Sequence, residues 1–472
     1  MTRRTAGLAL LGLPGFRLLA QVPPSADSAP AERPGNVAPT TPESYRVYAE
    51  APRLFLRPAR LRLLRRERER QSLRWEQFQN LWNGGAPFPE APWAGALRFQ
   101  VADDKEAGRR ATAWAASAAG TEVRQLALIA DWCEALLTPA EKTRVYAKLQ
   151  RVVEAPTPKT LAAARDKTLA AIALCEIQPE KSETALRDIY QNYWLPVFIK
   201  SLRDQQVRVT NADAYPLMEL MHAFRDNLNF DLRDTFREWF RDYPLTHVMA
   251  HYPAPFPAAE NEYRIPADPD IQKSGPMMDR AMYSRSAELA MVAFDSNAAS
   301  TQLIQGLLTN DRFLMRGTMG IPYEFLWANP YQPGLSYYHI PLAVHDAIAG
   351  QLFVRSSWED DAQWLGFFDG QLQLFSDGTV TKIDPKLAHE PMDLEEATVF
   401  FASSSKKFRV PKRSKEEAND DVFIVGLQPG KAYNIEIDDQ EMVEEISDPG
   451  GIIYLPSVPA GSGVLLNPFV GV

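Results

Sequence analysis

Histidine is scarce in this sequence, and its positions limit the chemistry open to it. The six are His222, His247, His251, His339, His345 and His389. His247 and His251 stand four residues apart, so a helix through both would present them on one face. Such a pair suits a metal, but neither an HExxH pattern nor a third ligand accompanies it, and no metal or cofactor is expected. His251 opens the run His251-Tyr252-Pro253 that leads towards Tyr263, where it could act as a base or contact a substrate. His222 shares its segment with Leu217, Met218 and Met221, which points to a histidine satisfied inside a core.

Other polar groups gather nearby. Tyr263 and Arg264 are adjacent in Glu260-Asn261-Glu262-Tyr263-Arg264, where the guanidinium could lower the phenol's pKa or the ring could simply pack on a rim. Asn211, in Val209-Thr210-Asn211-Ala212-Asp213, falls at a helix start, where asparagine ordinarily serves as an N-cap. The carboxylates Glu262, Asp268 and Glu324 could serve a glycoside hydrolase, which needs two at a defined separation. Trp327, Tyr331, Tyr337 and Tyr338 cluster between Glu324 and His339, either to stack on sugar rings or to seal an interface. A GxSxG elbow, a P-loop and a GxGxxG loop are all missing, so nucleotide and α/β-hydrolase readings lack support.

These groups need elements to hold them. A chain of 472 residues exceeds what one core normally serves. Its 45% hydrophobic and 24% charged content suits a globular protein. The net charge of -9 argues against general affinity for nucleic acid. Helical periodicity runs from Pro58 to Trp82 and through Leu126, Ile129, Cys133 and Leu136. Thr138-Pro139-Ala140-Glu141 combines a capping Thr, a first-turn Pro and a Glu three residues on. Further helices are expected around 159–177, 182–203, 212–228, 230–242, 277–294 and 299–309, in successive pairs that suggest a helical toroid or solenoid. After Tyr331 the period becomes two, with strands around 353–358, 364–368, 372–375, 397–401, 422–425, 432–437 and 452–455. Asp369-Gly370, Asp377-Gly378, Pro429-Gly430 and Pro449-Gly450 mark turns between them, which implies an antiparallel β-sandwich. Cys133 and Cys175 are either a disulfide or two buried thiols.

Paired helices followed by a β-sandwich resemble the heparinase II/III-like and alginate-lyase-like polysaccharide lyases. Ala130-Asp131-Trp132-Cys133 with Leu137-Thr138-Pro139-Ala140-Glu141 looks like that family's early toroid helices. The run from Gly350 to Ala362, with Arg355-Ser356-Ser357-Trp358, looks like its β-domain opening, and Val425 to Tyr433 like its closing strands. The resemblance implies an N-terminal (α/α) toroid over 51–335 and a β-sandwich over 336–472. It also implies β-elimination on a uronate-containing polysaccharide. Asn211 would neutralise the carboxylate, Tyr263 and His251 would serve as acid and base, and Arg264, Trp327, Tyr331 and Tyr337 would contact the glycan. One departure stands out. The family places a His-rich stretch after the Arg-Ser-Ser-Trp strand, whereas no histidine lies between His345 and His389 here. The same scaffold could therefore serve a non-catalytic glycan-binding or surface protein.

Arg3 and Arg4, the apolar run Ala6 to Leu13 and Leu18-Leu19-Ala20-Gln21 read as a signal peptide over 1–20, followed by a flexible linker over 21–50. No run approaches the ~18 apolar residues of a membrane-crossing helix. A secreted or periplasmic location follows as an expectation. N-terminal sequencing of cell-derived protein should begin near Gln21; an intact Met1 would rule export by this signal out.

Overall fold

The computed structural model describes residues 44–204, 209–255, 264–271, 278–310, 317–394, 397–412, 419–438 and 441–468. An N-terminal helical body comprises α1 (Pro58–Glu69), α2 (Leu73–Asn83), α3 (Ala91–Ala102), α4 (Lys105–Ala116), α5 (Val123–Trp132), α6 (Pro139–Val153), α7 (Leu161–Ala173) and α8 (Pro179–Asp188). It continues with α9 (Lys200–Arg203), α10 (Asn211–Leu228), α11 (Arg237–Met249), α12 (Met278–Phe294), α13 (Ala299–Asn310) and α14 (Ile321–Trp327). Among the described residues no helix is long and apolar enough to cross a membrane.

Local chemistry explains several boundaries. The long helical pattern from Pro58 breaks at Gln71, whose φ is 50°, and restarts because the Ser72 side chain accepts from the Trp75 N–H. The capping box at Thr138 and Glu141 forms as the sequence implies. The stretch expected as one helix over 182–203 is interrupted by a π-helix, Ile189–Ile199, around Pro196. A proline lacks the N–H of the regular ladder, and a wider turn accommodates that loss. α3 escaped the periodicity because its apolar residues spread over most of its circumference, and α4 because the stripe it buries is made of small residues, Ala107, Gly108, Ala111 and Ala115. A Cβ on Gly108 would come within 2.5 Å of Leu136.

Charge holds the helices in register. On α10, the fully buried Glu219 carboxylate accepts from Arg124 of α5 at 2.6 Å and from Arg165 of α7. Burial alone would push Glu219 up, but the two guanidiniums hold it below the usual carboxylate range. At the N-terminal edge, Asp131 of α5 accepts from the Arg53 and Leu54 amides at 2.7 and 2.8 Å, which anchors the incoming strand of chain.

The C-terminal part is built of sheets. β1 (His251–Pro255) and β2 (Arg264–Pro266) form a small antiparallel ribbon beside the helices. β3 (Ala343–Asp346), β4 (Gln351–Arg355), β5 (Trp364–Phe368), β6 (Gln371–Ser376) and β7 (Thr379–Ile383) make a five-stranded meander. The β5–β6 and β6–β7 hairpins turn on Asp369-Gly370 and Asp377-Gly378, all four residues at positive φ, as a type I′ turn requires. The remaining strands are β8 (Met392–Asp393), β9 (Ala397–Phe401), β10 (Lys407–Arg409), β11 (Asn419–Val425), β12 (Ala432–Ile437), β13 (Glu441–Ile446), β14 (Ile453–Pro459) and β15 (Gly463–Pro468). They form two four-stranded sheets, ordered β14-β11-β9-β8 and β10-β15-β12-β13. Pairing is antiparallel except between β9 and β11, which run parallel and are joined by a crossover through β10 of the other sheet rather than by a hairpin.

Alternation of side chains stacks these layers. Leu352 and Val354 of β4 share a core with Val399, Phe401 and Phe423 of the next sheet. Phe400, Val422 and Ile424 point the other way, into a core with Ile435 and Leu466 of the third. Phe353, Trp364, Phe368 and Phe375, on the meander's opposite face, belong to the core of the helical body. The apolar interior therefore continues across residue 336 rather than ending there. Cys133 and Cys175 are free thiols.

Replacing Glu219 by Gln leaves Arg124 and Arg165 without their buried counter-charge. Urea unfolding should show a loss of ~3–5 kcal/mol relative to wild type; a loss under ~1 kcal/mol would mean the trio does not hold the helices.

Candidate functional site

A cleft opens where α10, α11 and the meander meet. Val209, Asn211, Tyr243, Thr246, His247, Ala250, Ala267, Gln351 and Phe353 line it, and its enclosed room is about 20 Å³, enough for one water. Asn211 reaches it because α10 begins there. Its cap is not Asn211 but Thr210, whose hydroxyl accepts from the Asp213 N–H at 3.3 Å. The Asn211 amide thus escapes capping duty and, among the described residues, donates a long bond, 3.4 Å, to the Ala250 carbonyl. Tyr243 and His247 lie one helical turn apart on α11 and enter the same cleft together.

Behind His247 lies a fully buried polar cluster. His251 Nδ1 stands 2.9 Å from the His247 carbonyl and 3.2 Å from that of Val248, so it carries the proton and donates. The Nε2 of a neutral His251 is then bare, and the Ser284 hydroxyl donates to it at 2.8 Å. Ser284 Oγ in turn accepts from His247 Nε2 at 3.1 Å. Burial holds both imidazoles below their ordinary range, and for His251 the neighbouring His247 and Arg264 lower it further, so both are neutral at pH 7. Glu288, one turn beyond Ser284 on α12, brings Oε1 to 3.9 Å from His251 Nε2. Its Oε2 lies 3.7 Å from Arg264 and 3.8 Å from Arg285, and makes no hydrogen bond among the described residues. One donor atom each from His247, His251 and Glu288 lies within 4.8 Å of the other two. The third ligand that the sequence did not supply comes from α12.

The expected site residues separate into groups. Asn211 lines the cleft. His251, expected as acid or base, is saturated by hydrogen bonds in the interior and stands behind the cleft wall rather than on it. Arg264 comes close because β2 pairs with β1, but it faces Glu288. Tyr263 and Glu262 lie outside the described residues. Trp327 does not offer its ring to a ligand: it is 2% exposed, packed on Phe55 and His222, and donates Nε1–H to the Tyr215 hydroxyl at 2.9 Å. Phe55 and His222 cover its ring and the Tyr215 hydroxyl satisfies its N–H, so the indole is stable inside. Tyr331 is exposed, and Tyr337 stacks on Tyr338 with centroids 4.2 Å apart, in contact with Trp358. Neither belongs to the lining of the cleft. His222 is the core histidine its surroundings imply, with its Nε2 3.0 Å from the Ala290 carbonyl.

Tyr243, Ser284 and Glu288 were not singled out by sequence. The signal lay in two four-residue spacings, 243/247/251 and 284/288, whose mutual approach only the fold creates. No family model matches the chain, and no curated protein matches it.

The capping assignment is testable by thermal or urea unfolding. Thr210→Ala should lose ~1 kcal/mol, and Asn211→Ala should stay within ~0.5 kcal/mol of wild type. The reverse order would return the cap to Asn211.

Proposed function

We propose that the chain is a polysaccharide lyase-like protein that cleaves uronate-containing glycans by β-elimination in the cleft beside α11. The observation that carries this reading is the meeting of a weakly bonded amide, a phenol and a neutral imidazole, from Asn211, Tyr243 and His247, in one cleft. Elimination asks for these groups. The carbon next to the uronate carboxylate must lose a proton, the enolate-like charge must be stabilised, and the departing glycosidic oxygen must gain a proton.

The Asn211 N–H groups donate to the carboxylate, and the edge of His247 shares that wall. Tyr243 carries the proton, taking it from carbon and returning it to the leaving oxygen on the same face. It takes the proton as the phenolate and returns it as the phenol, so one group serves both steps. The resemblance assigned this role to Tyr263, which lies outside the described residues; Tyr243 is the phenol among the described residues that lines the cleft. A second reading, non-catalytic glycan binding, is favoured by the exposed Tyr338, 58% accessible and stacked on Tyr337. That pair offers an apolar ring face to a sugar.

Incubation with a panel of uronate polymers, followed by the ultraviolet absorbance of the unsaturated product, tests the first reading. Tyr243→Phe should lower turnover by ~10²–10⁴-fold, the range of a general acid–base group, with its melting temperature little changed. Full activity in Tyr243→Phe with loss in Tyr263→Phe would restore Tyr263 to the role. A wild type inactive on every polymer, yet retarded by one in affinity electrophoresis unless Tyr338 is Ala, would favour the binding protein.

A further inference from the structure

We infer that His247, His251 and Glu288 form a transition-metal site, with zinc as the ion it fits, directly behind the cleft wall. This goes beyond the elimination reading and does not depend on it, because metal uptake is measured without turnover.

The argument starts from protonation. Two backbone carbonyls fix the proton of His251 on Nδ1 and turn its bare Nε2 lone pair inward. That outer hydrogen bond from the non-ligating nitrogen is what a metal-binding imidazole usually makes. Glu288 supplies an anionic oxygen that is buried and without a hydrogen bond among the described residues. A buried carboxylate oxygen left in that state is costly unless something charged completes it. Arg264 and Arg285, at 3.7 and 3.8 Å, stand too far to hydrogen-bond with it.

Geometry permits the closure. Zinc bound at about 2.0–2.1 Å in tetrahedral fashion separates its ligands by about 3.3 Å. The three donor atoms already lie within 4.8 Å of one another, so each pair needs to close by at most about 1.5 Å. Ser284 Oγ now bridges the two imidazoles; on binding, the hydroxyl rotates aside and His247 presents an unprotonated nitrogen. His247 also lines the cleft, which gives the ion an access route and leaves room for a water as fourth ligand. Calcium and magnesium would want several more oxygens than this cluster has. Two imidazoles and one carboxylate suit zinc, and the nearby guanidiniums disfavour an ion held by charge alone.

The test uses the full chain, stripped with a chelator and titrated with zinc alone. The expected result is one zinc per chain and a raised melting temperature. Ser284→Ala should keep this uptake, since its hydroxyl is displaced. Glu288→Gln and His251→Asn should each bind at least ~100-fold more weakly, because even an outer-sphere partner is worth ~10–100-fold. Should those variants fail to fold, zinc-edge X-ray absorption on the wild type decides instead: two imidazole ligands are expected. A folded wild type that takes up no zinc overturns the inference. So does zinc bound without imidazole, or bound as tightly by a folded Glu288→Gln.

Discussion

The carboxylate of Glu219 is the point from which the helical body is organised. It lies fully buried on α10 and joins Arg124 of α5 to Arg165 of α7, so three helices distant in sequence meet at one charge. Such a trio stabilises little compared with a well-packed apolar equivalent, but breaking it removes the one fully buried counter-charge the two arginines share and leaves them the partly exposed Glu90 and Asp166. Its value is in specifying position. Arg124 also bonds the Tyr215 hydroxyl at 3.3 Å, and Tyr215 accepts from Trp327, so the last helix, α14, is tied to the same point. With α10 fixed along its axis, its first residue, Asn211, can stand only at the cleft.

The second constraint is the seam between helices and the five-stranded meander. An antiparallel sheet commonly keeps one face in water, but at its β4 and β5 this one is buried on both. One face of β4 and β5 meets the second sheet, while Phe353 and Trp364 enter the helical core. A seam this apolar needs polar pins to fix its register. Trp364 donates to the Met249 carbonyl at 2.8 Å, at the end of α11, and Tyr252 donates to Gln373 at 2.7 Å. These bonds fix the point where α11 turns into β1, the turn that carries His251 away from the stripe of Tyr243 and His247. The cleft opens where the turn leaves the seam incompletely filled.

How much of this was legible in the sequence depends on the range of the physics. Signals that act within a few residues read correctly. The Thr138 capping box, the two Asp-Gly hairpins and the short apolar runs of β5 and β9, buried along their whole length, are local, and the structure contains them. The helical first half and sheet-forming second half follow from the change of period. Signals that depend on what lies opposite did not read. α3 offered no stripe because every side of it is covered, and Trp327 looked like a sugar platform because sequence does not show that Phe55 and His222 enclose it. At Asn211 the local rule itself misled by one residue: Thr210 and Asn211 both make good caps, and the hydroxyl won. The partnership of α11 with Ser284 and Glu288 was beyond any local rule.

The two buried glutamates then separate structure from function. Glu219 and Glu288 are both almost wholly removed from solvent, and both have two arginines nearby. At Glu219 each oxygen is within hydrogen-bond reach of a guanidinium, and the charge is matched. At Glu288 the guanidiniums stop at 3.7 and 3.8 Å, and one oxygen is left without a hydrogen bond among the described residues. If stability alone shaped both places, the second would relax into the pairing of the first, since closing that gap takes about 1 Å and recovers a charge-assisted bond. Its persistence beside two neutral imidazoles, and next to the cleft, fits a group held ready for a ligand. Folded chains tolerate such local costs where chemistry needs them. The site and the scaffold therefore differ in how completely their buried charges are satisfied, although they use the same residue types.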